Sequence, residues 1–150
     1  MYSRILVAVD GSESSWQALK CGTELAKRLS ASLRVIHVVE SAQAPVGPDQ
    51  AGQVQAASAA AGQTADDIMS TVRETVAAAG YEAETAALNA APSQRVEAVI
   101  LDEISRWPAK LLVMGIHGQH GFKSLQPGSV AEEMTRLSPI PLLLIPTRTD

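Results

Sequence analysis

Apolar residues enter this chain in two alternating rhythms. Short unbroken runs, bounded by turn-forming residues, alternate with longer stretches in which apolar positions recur every three or four residues. The first run is Ile5-Leu6-Val7-Ala8-Val9, stopped by Asp10-Gly11-Ser12. A run apolar at every position suits a strand buried on both faces, as in a parallel sheet. The next stretch predicts a helix, with Ser12 or Ser14 as its cap and Glu13 in its first turn. Ala18, Gly22, Leu25, Ala26 and Leu29 then share one helical face, and Ser30-Ala31-Ser32 ends it. Leu33 to Val39 is the second strand. These elements make one βαβ unit, expected to be right-handed with parallel strands.

The alternation continues. Residues 41–55 carry Pro45, Gly47, Pro48 and Gly52 without any period and predict a loop. Ile68, Val72, Val76 and Ala79 form a second helical stripe closed by Gly80, and the alanine-rich stretch 56–62 offers it an earlier start. Tyr81 to Leu88 alternates weakly and predicts a less apolar strand toward an edge. Pro92 and Ser93 suit the first turn of a third helix, whose buried face is Val96, Val99, Ile100 and Ile104, closed by Trp107-Pro108. Leu111 to Met114 is a fourth buried strand running into Gly115. Ser129 to Leu137 is the last helix, capped by Ser129, with Val130, Met134 and Leu137 inward. Pro141 to Ile145 is the fifth strand. Strict β-α alternation of this kind predicts an α/β fold, an open parallel sheet with helices on both faces. With 150 residues and no visible repeat, one domain over 1–150 is expected.

Composition narrows the function. Apolar residues are 46% of the chain but aromatics only 3%, so aliphatic side chains build the core. The net charge of −4 argues against non-specific binding to nucleic acid, which needs a basic face. One cysteine, Cys21, cannot form an internal disulfide, and a cytoplasmic location is expected. The opening MYSRILVAVDGS lacks a signal-peptide layout, and no apolar run reaches bilayer length, so no membrane association is expected.

The stretch from Gly115 to Val130 carries the chemistry. It leaves a buried strand and enters a helix, and ligands of open α/β sheets sit outside the carboxyl ends of the strands. Glycines there permit close approach of an anion to the backbone, and free amides at the start of the last helix, around Ser129, bind phosphate. Backbone donors of this kind reconcile a phosphate site with an acidic protein. Two other phosphate motifs do not fit. A Walker loop needs Gly directly before Lys, but Phe122 separates Gly121 from Lys123, and no G-x-G-x-x-G follows the first strand. Asp10 instead puts a carboxylate at the sheet's functional edge. Simpler roles remain open for these residues. The glycines also serve as turn formers, and Asp10 as a cap or turn residue. His117 and His120 stand three apart but have no third ligand, so no metal site is expected, and an imidazole near phosphate oxygens fits better. His37 reads as structural and Cys21 as a packing residue.

Gly115, two residues, Gly118, nine residues, Gly128 and then Ser129 resemble the ATP-binding signature of the universal stress protein family. The resemblance extends to the opening ILVAVDGSESS, the HVV of the second strand, the MG-x-HG turn, GSVAEE-x-x-R and the closing PLLLIP. It implies a five-stranded sheet of order 3-2-1-4-5 with four helices, and ATP bound by a subset of members. Carried over position by position, it implies that Asp10 lies beside ribose and adenine and that Val38 contacts adenine through its backbone. Met114 and Gly115 would close the fourth strand, and Gly118, Gly128, Ser129 and Val130 would form the phosphate loop. Lys110, where the family usually has an acidic residue, and Ala90-Ala91, in place of a common glycine, depart from the pattern outside that signature.

The expected function is therefore an ATP-binding stress-response regulator acting as a dimeric switch toward an unidentified protein partner, with ATP, alone or with Mg, as cofactor. A slow ATP hydrolase and a nucleotide-free interaction module are the alternatives. Hydrolysis needs a metal-bound triphosphate and a group that positions water, and Asp10 is the only carboxylate assigned to the site. The fifth strand, apolar throughout and at the edge in that order, is expected to pair with its copy in a homodimer.

Overall fold

A computed structural model describes residues 1–40, 64–117 and 129–147. The elements follow in the order β1 (Arg4–Val9), α1 (Glu13–Leu29), β2 (Ser32–Val39), α2 (Ala65–Ala78), β3 (Glu84–Asn89), α3 (Val96–Arg106), β4 (Leu111–Gly115), α4 (Ser129–Leu137) and β5 (Leu142–Ile145). The five strands form one sheet in the order β3-β2-β1-β4-β5, and every neighbouring pair is parallel. The loop expected over 41–55 and the helical extension over 56–62 fall outside the described residues.

Side chains alternate across a strand, so each strand feeds two cores. Ile5, Val7 and Val9 of β1 pack with Leu33 and Val35 of β2 and Val113 of β4, under Ala18, Leu19 and Ala26 of α1 and Ile68, Val72 and Val76 of α2. Leu6, Ile36, Leu112 and Met114 face the other way, under Ile100 and Ile104 of α3 and Ala131 and Met134 of α4. The strand order reverses between β1 and β4, which is why α1 and α2 cover one face and α3 and α4 the other. Helix α1 lies close to the sheet because Gly22 has no side chain: a Cβ there would stand 2.5 Å from Val7 Cγ2.

Most boundaries match the hydrophobic pattern, and the exceptions have local causes. Tyr81 precedes β3 rather than opening it. Its hydroxyl donates toward the carbonyls of Ala31 and Ala26, tying this segment to the junction of α1 and β2. Pro92 and Ser93 form a turn, and α3 begins only at Val96 with Arg95 as its cap. Leu29 and Leu137, expected inward, are 48% and 45% exposed, because each sits in the last turn of its helix, past the end of the packed stripe. Ser129, expected as a cap, is the first helical residue of α4.

The amino ends of the strands are closed by charge and backbone bonds. Arg34 of β2 reaches Glu103 of α3 at 2.7 Å and Glu84 of β3 at 2.8 Å, and Glu103 is only 5% exposed. The Ser32 amide donates to the Ser3 carbonyl at 2.9 Å, and the Lys110 amide to the Arg4 carbonyl at 2.8 Å. Lys110 uses its backbone for this contact while its side chain is exposed, so the fold sets no charge at that position.

Candidate functional site at the carboxyl ends of the strands

The reversal of strand order opens a crevice where β1 and β4 end, the position at which ligands bind open α/β sheets. Asp10 leaves β1 directly into this crevice. Its Oδ1 accepts from the Ser12 amide at 2.9 Å, an Asx turn that directs the chain into α1. Gly11 sits inside that turn at φ +87°, a left-handed conformation that side chains disfavour. Ser12 then caps α1 by accepting from the Ser15 amide at 3.3 Å. Asp10 is thus the turn former and Ser12 the cap.

The first turn of α1 is also bolted to the end of β4. Ser12 Oγ donates to the His117 carbonyl at 3.0 Å, and Ser14 Oγ donates to the same oxygen at 2.6 Å. The Ser14 hydroxyl oxygen in turn accepts from the His117 amide at 3.2 Å. Gly115 makes this contact possible, since a Cβ there would lie 2.3 Å from Ser14 Oγ and 2.7 Å from the Ser15 nitrogen. The glycine meets backbone on that side, so it is required by packing whatever else it contacts. Ile116 is held from the opposite side, its amide donating to the Ile145 carbonyl at 2.9 Å.

An apolar floor runs beneath this rim. Met114 of β4 is buried, and Ala8 of β1, Val38 of β2 and Val130 of α4 are half-buried against the same core. Strand register sets their heights. Ala8 pairs with Ile36 and with Met114, so Asp10, two residues further on, stands level with Val38. Val38 pairs with Leu88 of β3, which extends the floor outward. The structure thus gathers Asp10, Val38, Met114, Gly115 and Val130 along the carboxyl ends of the strands and the start of α4. Gly118 and Gly128 lie outside the described residues, as does His120, and Ser129 is described only as the first residue of α4.

Two histidines border the crevice. His37 Nδ1 lies 2.9 Å from the Val9 carbonyl, which can only accept, so this nitrogen carries the hydrogen and the ring ties β1 to β2. His117 Nδ1 is buried without a hydrogen-bond partner among the described residues. No group of three metal-ligating side chains occurs among the described residues. A separate groove between α3 and α4, lined by Gln94, Arg95, Glu97, Leu101 and Leu137, contains none of the crevice residues.

The serine clamp on His117 was not legible in the sequence. Its partners are 103 and 105 residues apart, and serine after a turn reads first as a helix cap. The signal was a pair of serines, Ser14 and Ser15, beyond the one that capping requires.

The universal stress protein family model matches residues 1–146. The chain belongs to the universal stress protein family. Among curated relatives, universal stress protein YxiE of Bacillus subtilis is 29% identical, with 97% of this chain and 99% of YxiE covered. Universal stress protein UspA from Lactobacillus plantarum has the same fold, with a TM-score of 0.74 and 24% identity over 96% of this chain and 97% of that one. A universal stress protein solved in complex with cAMP aligns with a TM-score of 0.66 and 23% identity over 98% of each chain. The five-stranded sheet in the order 3-2-1-4-5 belongs to a fold that these solved structures share. No helix among the described residues is long and apolar enough to cross a membrane.

Proposed function

We propose that this universal stress protein binds an adenine nucleotide, ATP foremost, in the crevice between β1 and β4, and acts as a dimeric regulator whose state follows nucleotide occupancy. The observation that carries the reading is the meeting of Asp10, Val38 and Met114 over one apolar floor, beside the strand end that leads into the glycine signature. A flat heteroaromatic base needs such a floor, and a carboxylate at its edge suits ribose hydroxyls. Proteins of the same fold support the class of ligand: one was solved with cAMP, one from Archaeoglobus fulgidus with dAMP, and one from Arabidopsis thaliana with AMP bound. The triphosphate rests on the resemblance of the glycine signature, in which Gly118, Gly128, Ser129 and Val130 would form the phosphate loop, with Mg accompanying the phosphates.

The dimer rests on β5. Leu142, Leu143, Leu144 and Ile145 are all half-buried, with side chains feeding both cores, and the strand pairs with β4 at the sheet's edge. An apolar edge strand is an aggregation hazard unless covered, and antiparallel pairing with a second copy covers it.

Calorimetric titration of the purified, nucleotide-stripped protein with ATP, AMP and guanosine triphosphate tests the binding. Saturable adenine-selective binding, tightest for ATP, is expected. Absence of heat with every adenine nucleotide would refute the reading. Sedimentation at micromolar protein tests the dimer, and a monomer with and without ATP would refute it.

A further inference from the structure

We propose that the groove between α3 and α4 is a ligand site of its own, for a small organic cation: a guanidinium carried on an alkyl stem. The proposal stands on a contrast between two glutamates of one helix. Glu97 and Glu103 are the buried acidic residues among the described residues, 6% and 5% exposed. Glu103 is completed from within the chain, by a half-buried guanidinium: Arg34 Nε stands 2.7 Å from its Oε1. Glu97, nearer the start of α3, has no such partner. Its ion pair is with Arg95 at 3.5 Å, a side chain 72% exposed, and no hydrogen bond reaches its carboxylate among the described residues. Burying a carboxylate without hydrogen bonds is unfavourable, and an exposed cation at that distance offsets little of the cost. The end of the helix does not explain the burial. Partial charge there favours an acid in the first turn, and Glu13, Asp66 and Glu132 hold such positions in the other helices, yet all three are exposed.

Glu97 lines the groove, whose volume of about 470 Å³ is that of a small-ligand site. Glu133 of α4 lines it too. Its Oε2 is taken by Arg136 at 2.8 Å, and its Oε1 has no partner among the described residues. Ala98, Leu101 and Leu137 supply an apolar wall beside these carboxylates. A bare metal ion would use the carboxylates and leave that wall uncovered. A plain hydrocarbon would cover the wall and leave Glu97 without a hydrogen bond. An alkylguanidinium does both, with its planar fork on the carboxylate and its stem along the leucines. The chain itself makes this pairing once, where Arg34 meets Glu103. None of the crevice residues takes part, so the proposal stands apart from the nucleotide reading.

The test is a titration of the isotope-labelled full chain with n-hexylguanidinium, followed through amide chemical shifts. Saturable shifts are expected at Glu97, Ala98, Leu101, Glu133 and Leu137, with a Kd on the order of 1 mM or tighter. Hexanoate has the same stem and the opposite charge, and the guanidinium ion has no stem. Each is expected to bind at least about tenfold more weakly. Glu97→Gln keeps the shape and removes the charge, and should weaken hexylguanidinium about tenfold. Leu137→Ala should weaken it about threefold. Arg95→Ala removes the cation that competes for Glu97 and should tighten binding about twofold to threefold, an effect that no loss of structure produces. Arg95 and Leu137 are exposed, so their variants decide the matter even where Glu97→Gln folds poorly. Absence of saturable shifts in the groove, equal binding of hexanoate, unchanged affinity in folded Glu97→Gln, or weaker binding in Arg95→Ala would overturn the proposal. So would tighter binding of an acetyl-Leu-Arg-Leu amide peptide than of hexylguanidinium, which would assign the groove to a segment of a partner protein.

Discussion

The two ends of the sheet are closed by different chemistry. At the amino ends, the Arg34 guanidinium joins Glu84 and Glu103, and Tyr81 ties the start of β3 to the Ala31 carbonyl. At the carboxyl ends, two serine hydroxyls and an Asx turn hold the rim, and the neighbouring backbone is brought close by glycine. Charge locks one end, where nothing needs to enter. Serine hydroxyls, a glycine and the Asp10 turn shape the other, the end at which the proposed nucleotide would enter. Stability and binding should therefore separate along the strand axis, and substitutions can break or sharpen that separation.

The largest effect is expected at Arg34. Arg34→Met leaves the buried Glu103 carboxylate without its cation, a change that costs about 3 kcal/mol in comparable buried pairs. Urea denaturation should register that loss while ATP affinity stays within twofold of wild type (about 0.4 kcal/mol). The double variant Arg34→Met with Glu103→Leu should recover most of it, since an apolar pair of similar volume replaces the ions. A collapse of ATP affinity in a folded Arg34→Met protein would erase the distinction between the ends.

Gly115→Ala comes next. Its Cβ meets the backbone of α1 and cannot be relieved by turning a side chain, so about 2 kcal/mol of stability should be lost. Unlike Arg34→Met, this change should also weaken ATP, because it pushes the end of β4 away from α1. Thermal unfolding and titration on one sample report both.

Asp10→Ala should show the opposite balance. ATP affinity is expected to fall about tenfold through lost hydrogen bonds to the sugar, against a stability cost below about 1 kcal/mol for the Asx turn. A stability loss larger than the affinity loss would make Asp10 a turn former alone.

The smallest effect is expected from Tyr81→Phe. The lost hydroxyl leaves the Ala31 carbonyl short of a donor and should cost about 1 kcal/mol at equilibrium, with nucleotide binding untouched.

How far the sequence reaches depends on whether a contact is local. β1 and β4 were readable because their apolar runs, five and four residues long, are short and bounded by turn residues, and Asp10-Gly11-Ser12 carries its turn in three adjacent residues. Strand order is a non-local property, and it came from the resemblance in the glycine signature rather than from periodicity. Tyr81 was misread as strand because its alternation with Ala83 mimics a pleat, whereas its hydroxyl serves a contact 50 residues away. Pro92 was misread as a helix start because proline suits first turns and free turns alike. In the candidate site, Asp10 and Gly115 stand out at strand ends, whereas Val38 and Met114 come from the resemblance. The Ser14 clamp was not legible, since nothing local distinguishes a serine that caps its own helix from one that grips a distant peptide.

The most direct measurement of the central claim is an amide chemical-shift map of the isotope-labelled protein titrated with ATP. Saturable shifts are predicted at Asp10, Gly11, Val38, Met114, Gly115, His117 and Val130, with Arg34, Tyr81, Glu84 and Glu103 unmoved. Shifts centred on those amino-end residues, or in the groove between α3 and α4, would contradict it.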